Sequence, residues 1–451
     1  MKYLSIASRL ILGTVFIFSG FVKSVDPLGS AYKFSDYFAA FKLSFLSFLA
    51  LPLGLILSAF ELVLGITLLL GYRRRITYRV LFWFMGFFTL LTLILALFNP
   101  VSDCGCFGDA LILTNWETFL KNIVLMVFVV PLFMIRDRDA HDHIHPVREW
   151  GIVGALFLVV IGFSLWNHAH LPVVDFRPYD VGTLIQEEME IPEGAAVDDY
   201  ETELIYREKA SGKSERFTLE NYPRDTTLWE FVDSESRLIS KGYDPPIHDF
   251  AIIDAGGGDM ADQILSDDGF SLVMISHDLT KANEAALLKA RDWAQLEMLA
   301  GEYAFYPVTA TPESEIGNIA MTLDLGYTFY SADEIMLKTV VRSNPGFLLI
   351  RNGVIVGKWS FRDFPAIEDI DPDWTELMGN AAVPVDEETL MLMEAGVYED
   401  FSFDVIDFDP SITSFLMEQS QDRKEGRMIV IVGLCIALML LISARISPIR
   451  A

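Results

Sequence analysis

Apolar residues gather in six long runs, at about 4–22, 46–70, 79–98, 117–135, 149–166 and 428–444. Each is close to the roughly 20 residues that a helix needs to cross the hydrocarbon core. The pattern predicts six membrane-spanning helices. The first run contains Arg9 and lacks a small-x-small cleavage site. Phe21, Val22 and Lys23 continue it as a helix end does, so we read an uncleaved span and not a signal peptide.

Basic residues orient the spans. Lys2 precedes the first, and Arg73, Arg74, Arg75 and Arg79 fill the link between the second and third. Arg136, Arg138 and Arg148 lie between the fourth and fifth, and Arg445 and Arg450 follow the sixth. With six spans all these groups fall on one side, the cytoplasm. The short loops 23–45 and 99–116 and the long segment from about 167 to 427 fall on the other. The expectation is a multi-pass inner-membrane protein with both termini cytoplasmic and residues about 167–427 periplasmic.

Between the fifth and sixth runs the pattern changes to short alternating stretches and amphipathic ones. Glu203–Arg207 and Glu215–Leu219 flank Ala210-Ser211-Gly212-Lys213, which reads as a hairpin. Further on, Phe250–Asp254 reads as a short strand, Phe270–Ser276 as a buried strand, Lys281–Leu299 as an amphipathic helix and Tyr303–Thr309 as a strand. Residues 312–325 read as a helix, and two strands then surround Asn352-Gly353, a hairpin turn signal. Strand–helix–strand followed by a hairpin resembles a thioredoxin-like fold. Pro345 stands just before the hairpin, where such folds carry a cis-proline. Ser276-His277-Asp278-Leu279 stands where active members carry Cys-x-x-Cys. The predicted organisation is a four-helix membrane domain (1–136) and a cytoplasmic loop with the fifth span (137–170). A β-rich segment (171–249), a thioredoxin-like α/β domain lacking Cys-x-x-Cys (250–365), an acidic extension (366–427) and a last span (428–451) follow.

Charge sharpens this division. The chain has 451 residues, 52% of them hydrophobic, yet its net charge is −28. The acidic excess lies in residues 171–427, while the apolar segments are mildly basic. A surface this negative repels phosphate and excludes nucleic acid as a natural partner. Three cysteines are too few for a disulfide scaffold.

Two of those cysteines, Cys104 and Cys106, lie one residue apart in loop 99–116, on the oxidising side of the predicted topology. A disulfide across so short a spacing closes a small ring, and strain makes such a bond reducible, which suits electron transfer better than stapling. Gly105 supplies the bend. Asp103 and Asp109 are expected to raise the thiol pKa values and slow thiolate attack. Two inert thiols or half a metal site are the other readings, but no further outer cysteine or histidine cluster supports a metal. His141, His143 and His145 fall on the opposite side, and Cys435 reads as a packing residue inside the last span. Glu61 sits within the second span, where a carboxyl is costly and is either a functional group or an interhelix hydrogen-bonding one. Lys23 closes the first span and belongs either to the site or to interfacial anchoring. His277 is a ligand or base at the lost-cysteine position, or simply a polar strand-end residue. The spans hold few polar residues beyond Glu61 and show no broken-helix pair, which argues against a transporter.

Phe18-Ser19-Gly20-Phe21-Val22-Lys23, then Glu61 with Gly65 and Gly71, then Cys104-Gly105-Cys106-Phe107-Gly108 together resemble the DoxX/MauE family of four-helix membrane proteins, over about residues 1–136. The Cys-Gly-Cys-Phe-Gly loop is similar to the MauE branch in particular. The resemblance implies a membrane thiol–disulfide role in maturing envelope proteins, with a quinone as the cofactor class and a periplasmic protein as client. The missing Cys-x-x-Cys departs from that pattern. It leaves a non-enzymatic anchoring or assembly subunit, whose acidic domain binds an envelope partner, as the alternative.

Overall fold

The computed structural model describes residues 2–139, 146–192, 194–196, 199–240, 242–300 and 303–365. The acidic extension, the run at 428–444 with Cys435, and His141, His143 and His145 lie outside them.

Among the described residues five helical stretches are long and apolar enough to cross a membrane: Tyr3–Val25, Ser44–Leu70, Arg74–Phe98, Asn115–Ile135 and Glu149–Ala169. They correspond to helices α1 (Lys2–Val25), α3 (Ala50–Leu70), α4 (Arg74–Phe98), α5 (Asn115–Ile135) and α6 (Pro146–Ala169). This is a multi-pass membrane protein in contact with the bilayer. A further helix, α2 (Pro27–Ala40), lies in what the sequence reading left as the loop 23–45. Asp26 caps it, its carboxylate accepting from the Gly29 N–H at 2.8 Å. Pro27 sits at its first position, where a missing N–H costs nothing.

Glycines set the spacing of α1 and α3. A Cβ at Gly65 would fall 2.7 Å from the Ile17 nitrogen, and one at Gly20 would strike the backbone of Leu62. Small residues therefore let the two backbones approach closely, as packing within a bilayer favours. Leu12, Phe16, Leu64 and Leu68 then meet Leu81, Leu125 and Val129 of α4 and α5 in one buried cluster. Helix α6 packs on α3 through Val160 against Ala59 and Val63.

The basic links converge at one end of this bundle. Arg74 pairs with Asp139 at 3.0 Å and Arg75 with Asp137 at 2.6 Å. Ser5, near the start of α1, donates to Asp139. Arg9 donates to the carbonyls of Leu68 and Leu69, satisfying the open end of α3. This explains how an arginine is accommodated within the first span.

The α/β domain comprises α8 (Ala261–Ser266), β4 (Phe270–Ser276), α9 (Glu284–Ala300), β5 (Tyr303–Thr309), α10 (Glu313–Leu323), β6 (Tyr330–Ser331), α11 (Glu334–Val340), β7 (Gly346–Arg351) and β8 (Val354–Ser360). Its strand order is β6-β5-β4-β7-β8. Strands β4, β5 and β6 run parallel, and β7 and β8 are antiparallel to their neighbours. Leu272, Met274, Trp293, Phe347, Trp359 and Phe364 fill the core. The β7–β8 turn uses Asn352 and Gly353 at φ 47° and 72°, the conformation the Asn-Gly signal predicts. The Asn344–Pro345 bond is cis. Two details differ from the sequence reading. Phe250–Asp254 forms no strand but only single bridges through Ile253, and the short elements α8, β6 and α11 were not anticipated.

The segment after α6 is tied to this domain by a buried ion cluster. Asp175 pairs with Arg177 at 2.8 Å and with Lys358 of β8 at 2.7 Å. Burial opposes the charge on Asp175, but Arg177 and Lys358 overcome it and hold the carboxyl far below its usual range.

Residues 183–250 form a separate compact unit. It contains α7 (Ile185–Met189) and a sheet of order β2-β1-β3, built from β1 (Asp199–Glu208), β2 (Ser214–Thr218) and β3 (Trp229–Ser240). The hairpin at 210–213 joins β1 and β2 as the sequence suggested, with Tyr206 packed edge-on against Phe217 and Phe231. Strand β3 was not anticipated.

Candidate functional site

The loop joining α4 to α5 is shaped by its own residues. A bridge between Asp103 and Thr114 closes it. Thr114 and Glu117 then form a capping box that starts α5. Gly105 and Gly108 adopt φ of +65° and +52°, which a side chain would resist. The Asp103 carboxylate accepts from the Gly105 N–H at 2.9 Å. These turns bring Cys104 Sγ within 3.0 Å of Cys106 Sγ, both as free thiols. Cys104 is buried and Cys106 half-buried.

Two helices hold this loop. From α1, Ser19 Oγ donates to the Cys106 carbonyl at 2.7 Å and Lys23 Nζ reaches the same oxygen at 2.5 Å. From α2, Tyr37 donates to the Cys104 carbonyl at 2.9 Å and Lys33 pairs with Asp103 at 2.6 Å. Beneath the loop, Glu61 Oε2 of α3 accepts from Lys23 at 2.7 Å and lies 2.8 Å from Ser19 Oγ, whose single proton it shares with the Cys106 carbonyl. Lys23 and Glu61 are only 7% and 6% exposed, so neither acts as a solvated interfacial anchor. A buried carboxylate and ammonium in contact satisfy each other at a depth where either alone would be prohibitive. Sequence reading had named Lys23, Glu61, Cys104 and Cys106 separately, and the fold assembles them into one cluster.

The two thiols differ. Cys106 is pulled down to about 6, first by the hydrogen bond from Cys104 and then by the positive charges of Lys121 and Lys23. Cys104, hydrogen-bonded to Cys106 and buried, is pushed well above the ordinary thiol range. The expectation that Asp103 and Asp109 would raise the reactive thiol is thereby corrected. Each acid faces its own cation, Asp103 with Lys33 and Asp109 with Arg342 at 2.8 Å, while the Cys104 hydrogen bond and then the lysines lower Cys106. Lys121 stands over the Phe107 ring at 4.3 Å. Lys33, Tyr37, Lys121 and Arg342 were not singled out from the sequence.

Beside the thiols opens a pocket of about 290 Å³. Phe34, Phe38, Phe84, Phe87, Phe88 and Leu125 are among the apolar side chains that line it, while Cys104, Cys106, Lys23, Lys33, Tyr37 and Glu61 form its polar part. A pocket of this composition suits a ligand with a greasy body and a polar, hydrogen-bonding head.

His277 and Pro345 lie elsewhere, in the α/β domain. Ser276 donates to the Asn344 side chain at 2.7 Å, and Asn344 donates to the Asp278 carbonyl at 2.7 Å, which joins the loop after β4 to the loop before β7. His277 is half-buried there, and burial, aided by Lys338, holds its imidazole down to about 4. Among the described residues no group of three or more His, Cys, Asp or Glu side chains is placed to hold a metal.

Fold and site together define a polytopic membrane protein that carries a vicinal dithiol in a short interhelical loop. Residues 1–135 match the family described as methylamine utilisation protein MauE, so this membrane part of the chain is similar to that family. Residues 200–241 match a domain of unknown function, DUF8463. A curated relative, Protein TlpB of Flavobacterium psychrophilum, is 28% identical over 171 residues, or 36% of this chain. The match spans 42% of that protein's own length. No solved structure matches.

Proposed function

We propose that the chain is a membrane thiol–disulfide redox component that supports maturation of envelope proteins, with Cys104 and Cys106 as its working pair. The observation that carries this reading is the contact of the two thiols beside the buried Lys23–Glu61 pair and an apolar pocket. As a disulfide, the pair accepts two electrons and two protons from the two thiols of a client, leaving a client disulfide and two thiols here. A client thiolate attacks the disulfide and forms a mixed disulfide with one cysteine, the other leaving as thiolate, and the client's second thiolate then displaces the first cysteine; Cys106, the more acidic, is the better leaving group. Lys23 and Lys121 stabilise the thiolate. Glu61, held by Lys23 and Ser19, is the carboxyl nearest to carry protons between the thiols and the pocket.

A quinone suits this pocket, its ring carbonyls matching the lysine donors and its tail the phenylalanines. Such a molecule would supply the two-electron oxidant that returns the dithiol to the disulfide.

We further read the α/β domain as thioredoxin-like, from its strand order and direction. The predicted orientation makes the Cys104–Cys106 loop and this domain periplasmic, in the inner membrane. With no cysteine between residues 107 and 434, this domain cannot exchange thiols and serves to dock a client.

The test is to replace Cys104 and Cys106 by serine, singly and together, and to follow the disulfide state of exported proteins. The reading expects clients to accumulate as thiols, and unchanged clients would refute it. The same cysteine-free stretch favours a second reading, an anchoring subunit that binds an envelope partner without chemistry. That reading expects loss of function on deleting residues 171–427 and none on Cys104→Ser.

A further inference from the structure

The cysteine loop is gripped at both ends. At its start, Lys33 of α2 pairs with Asp103 and Tyr37 of the same helix holds the Cys104 carbonyl. At its far end the grip comes from the α/β domain. Arg342, two residues before the Asn344–Pro345 bond and only 6% exposed, forms two ion pairs. One goes to Asp109 Oδ2 at 2.8 Å, and the other goes to Asp26 Oδ2 at 2.9 Å. Asp26 is the N-cap of α2. One guanidinium thus ties the end of the cysteine loop to the beginning of the helix that holds the loop's start. Its other contacts keep it in place, since it donates to the Lys338 carbonyl and lies over the Tyr32 ring at 5.2 Å. A planar fork suits this double task, and a single ammonium does not.

We propose that Arg342 is a positioning residue of the dithiol site, closing a frame of α2, Asp26 and Asp109 that keeps Cys104 and Cys106 in register for disulfide formation. The proposal rests on the redox reading above. Without Arg342 the tie from Asp109 to α2 is lost and this part of the loop is held less tightly, so closing the ring costs more conformational entropy. The groups facing the thiols directly, Lys23, Glu61, Tyr37, Lys121 and the Lys33–Asp103 pair, remain.

The test equilibrates the full-length protein in detergent with reduced and oxidised glutathione, on a Cys435→Ser background. In this exchange the two protein thiols become a disulfide as one oxidised glutathione becomes two reduced ones. Mass spectrometry after alkylation reads the fraction oxidised. Arg342→Gln is expected to lower the equilibrium constant by about three- to tenfold, a change well resolved by a glutathione series. Asp109→Asn should reproduce most of the change, because it cuts the same tie. Lys338→Ala removes the neighbouring contact of the α/β domain with Tyr32, 5.0 Å from the ring, without touching the frame, and should match the wild type. The proposal is overturned if Arg342→Gln matches the wild type, if Asp109→Asn does so while Arg342→Gln does not, or if Lys338→Ala shifts as far as Arg342→Gln. A wild-type pair that forms no disulfide at any ratio overturns the redox reading itself, and the proposal with it. A wild type that cycles normally beside an unshifted Arg342→Gln overturns the proposal alone.

Discussion

Cys106 and Cys104 should differ sharply towards an alkylating agent, and the difference follows from three neighbours. The hydrogen bond from Cys104, then Lys121 and Lys23, bring Cys106 to about 6. At pH 7 about 90% of such a thiol is ionised, against about 3% for a free cysteine of pKa 8.5. That is roughly a thirtyfold gain in thiolate. Intrinsic nucleophilicity falls with a Brønsted coefficient of about 0.4–0.5, so roughly 2.5 pKa units take back about ten- to eighteenfold. The net rate should exceed that of a free cysteine by only about two- to threefold. Cys104, whose proton is held in the hydrogen bond, should react about a hundredfold or more slowly. The assay is iodoacetamide labelling of the reduced protein from pH 4.5 to 9, read separately at each cysteine by mass spectrometry. Cys106 labelling should rise through a midpoint near 6 and then level off. Lys121→Met should move that midpoint up by about half a unit or more, because one of the stabilising charges is gone. Equal labelling of the two cysteines, or a Cys106 midpoint at or above 8, would refute the assignment of Cys106 as the more acidic thiol and better leaving group.

Three further outcomes follow from buried charges. Lys23→Met strands the Glu61 carboxylate and should destabilise the bundle by about 3–5 kcal/mol, whereas Lys23→Met with Glu61→Leu should recover most of the loss, as thermal unfolding in detergent will show. Asp175→Asn removes the carboxylate that pairs with both Lys358 and Arg177 and should cost about 3–5 kcal/mol, seen as early unfolding of the α/β domain with the helices retained. His277 resists protonation until about pH 4, while an unfolded histidine accepts a proton near 6.5. The unfolded chain therefore binds the extra proton between these values, so stability falls as pH drops from about 6.5 to 4. His277→Gln should flatten that part of the profile in thermal scans, and an unchanged profile would show that the imidazole is not buried as described.

What could be read from the sequence was whatever a local pattern carries. The five described spans follow from uninterrupted apolar runs, and the β7–β8 turn follows from Asn352-Gly353. The four groups at the heart of the site were legible as types, a dithiol with a glycine between, an acid inside a span and a lysine at a span's end. Their assembly was not, because Lys23 and Glu61 are 38 residues apart and only the close α1–α3 packing brings them together. The same distance effect reversed the reading of the acids. Asp103 and Asp109 looked like bare negative charges beside the thiols because their partners lie 70 and 233 residues away. Helix α2 was missed although its signals were present. Asp26-Pro27 is a helix start, and Lys33 and Tyr37 are spaced to share a face, but the stretch is too short and polar to stand out between two spans. Strand β3 escaped because its sheet is largely exposed, so no clean alternation of polar and apolar residues marks it.

The central claim, that Cys104 and Cys106 cycle as a redox pair, is tested most directly by thiol trapping in native membranes. Cys435→Ser supplies the background, and quinone is depleted and then restored. The account predicts that the pair accumulates as dithiol without quinone and returns to disulfide when quinone is added. A pair that stays in one state throughout would contradict it, and would leave the cysteine loop a structural element of an anchoring protein.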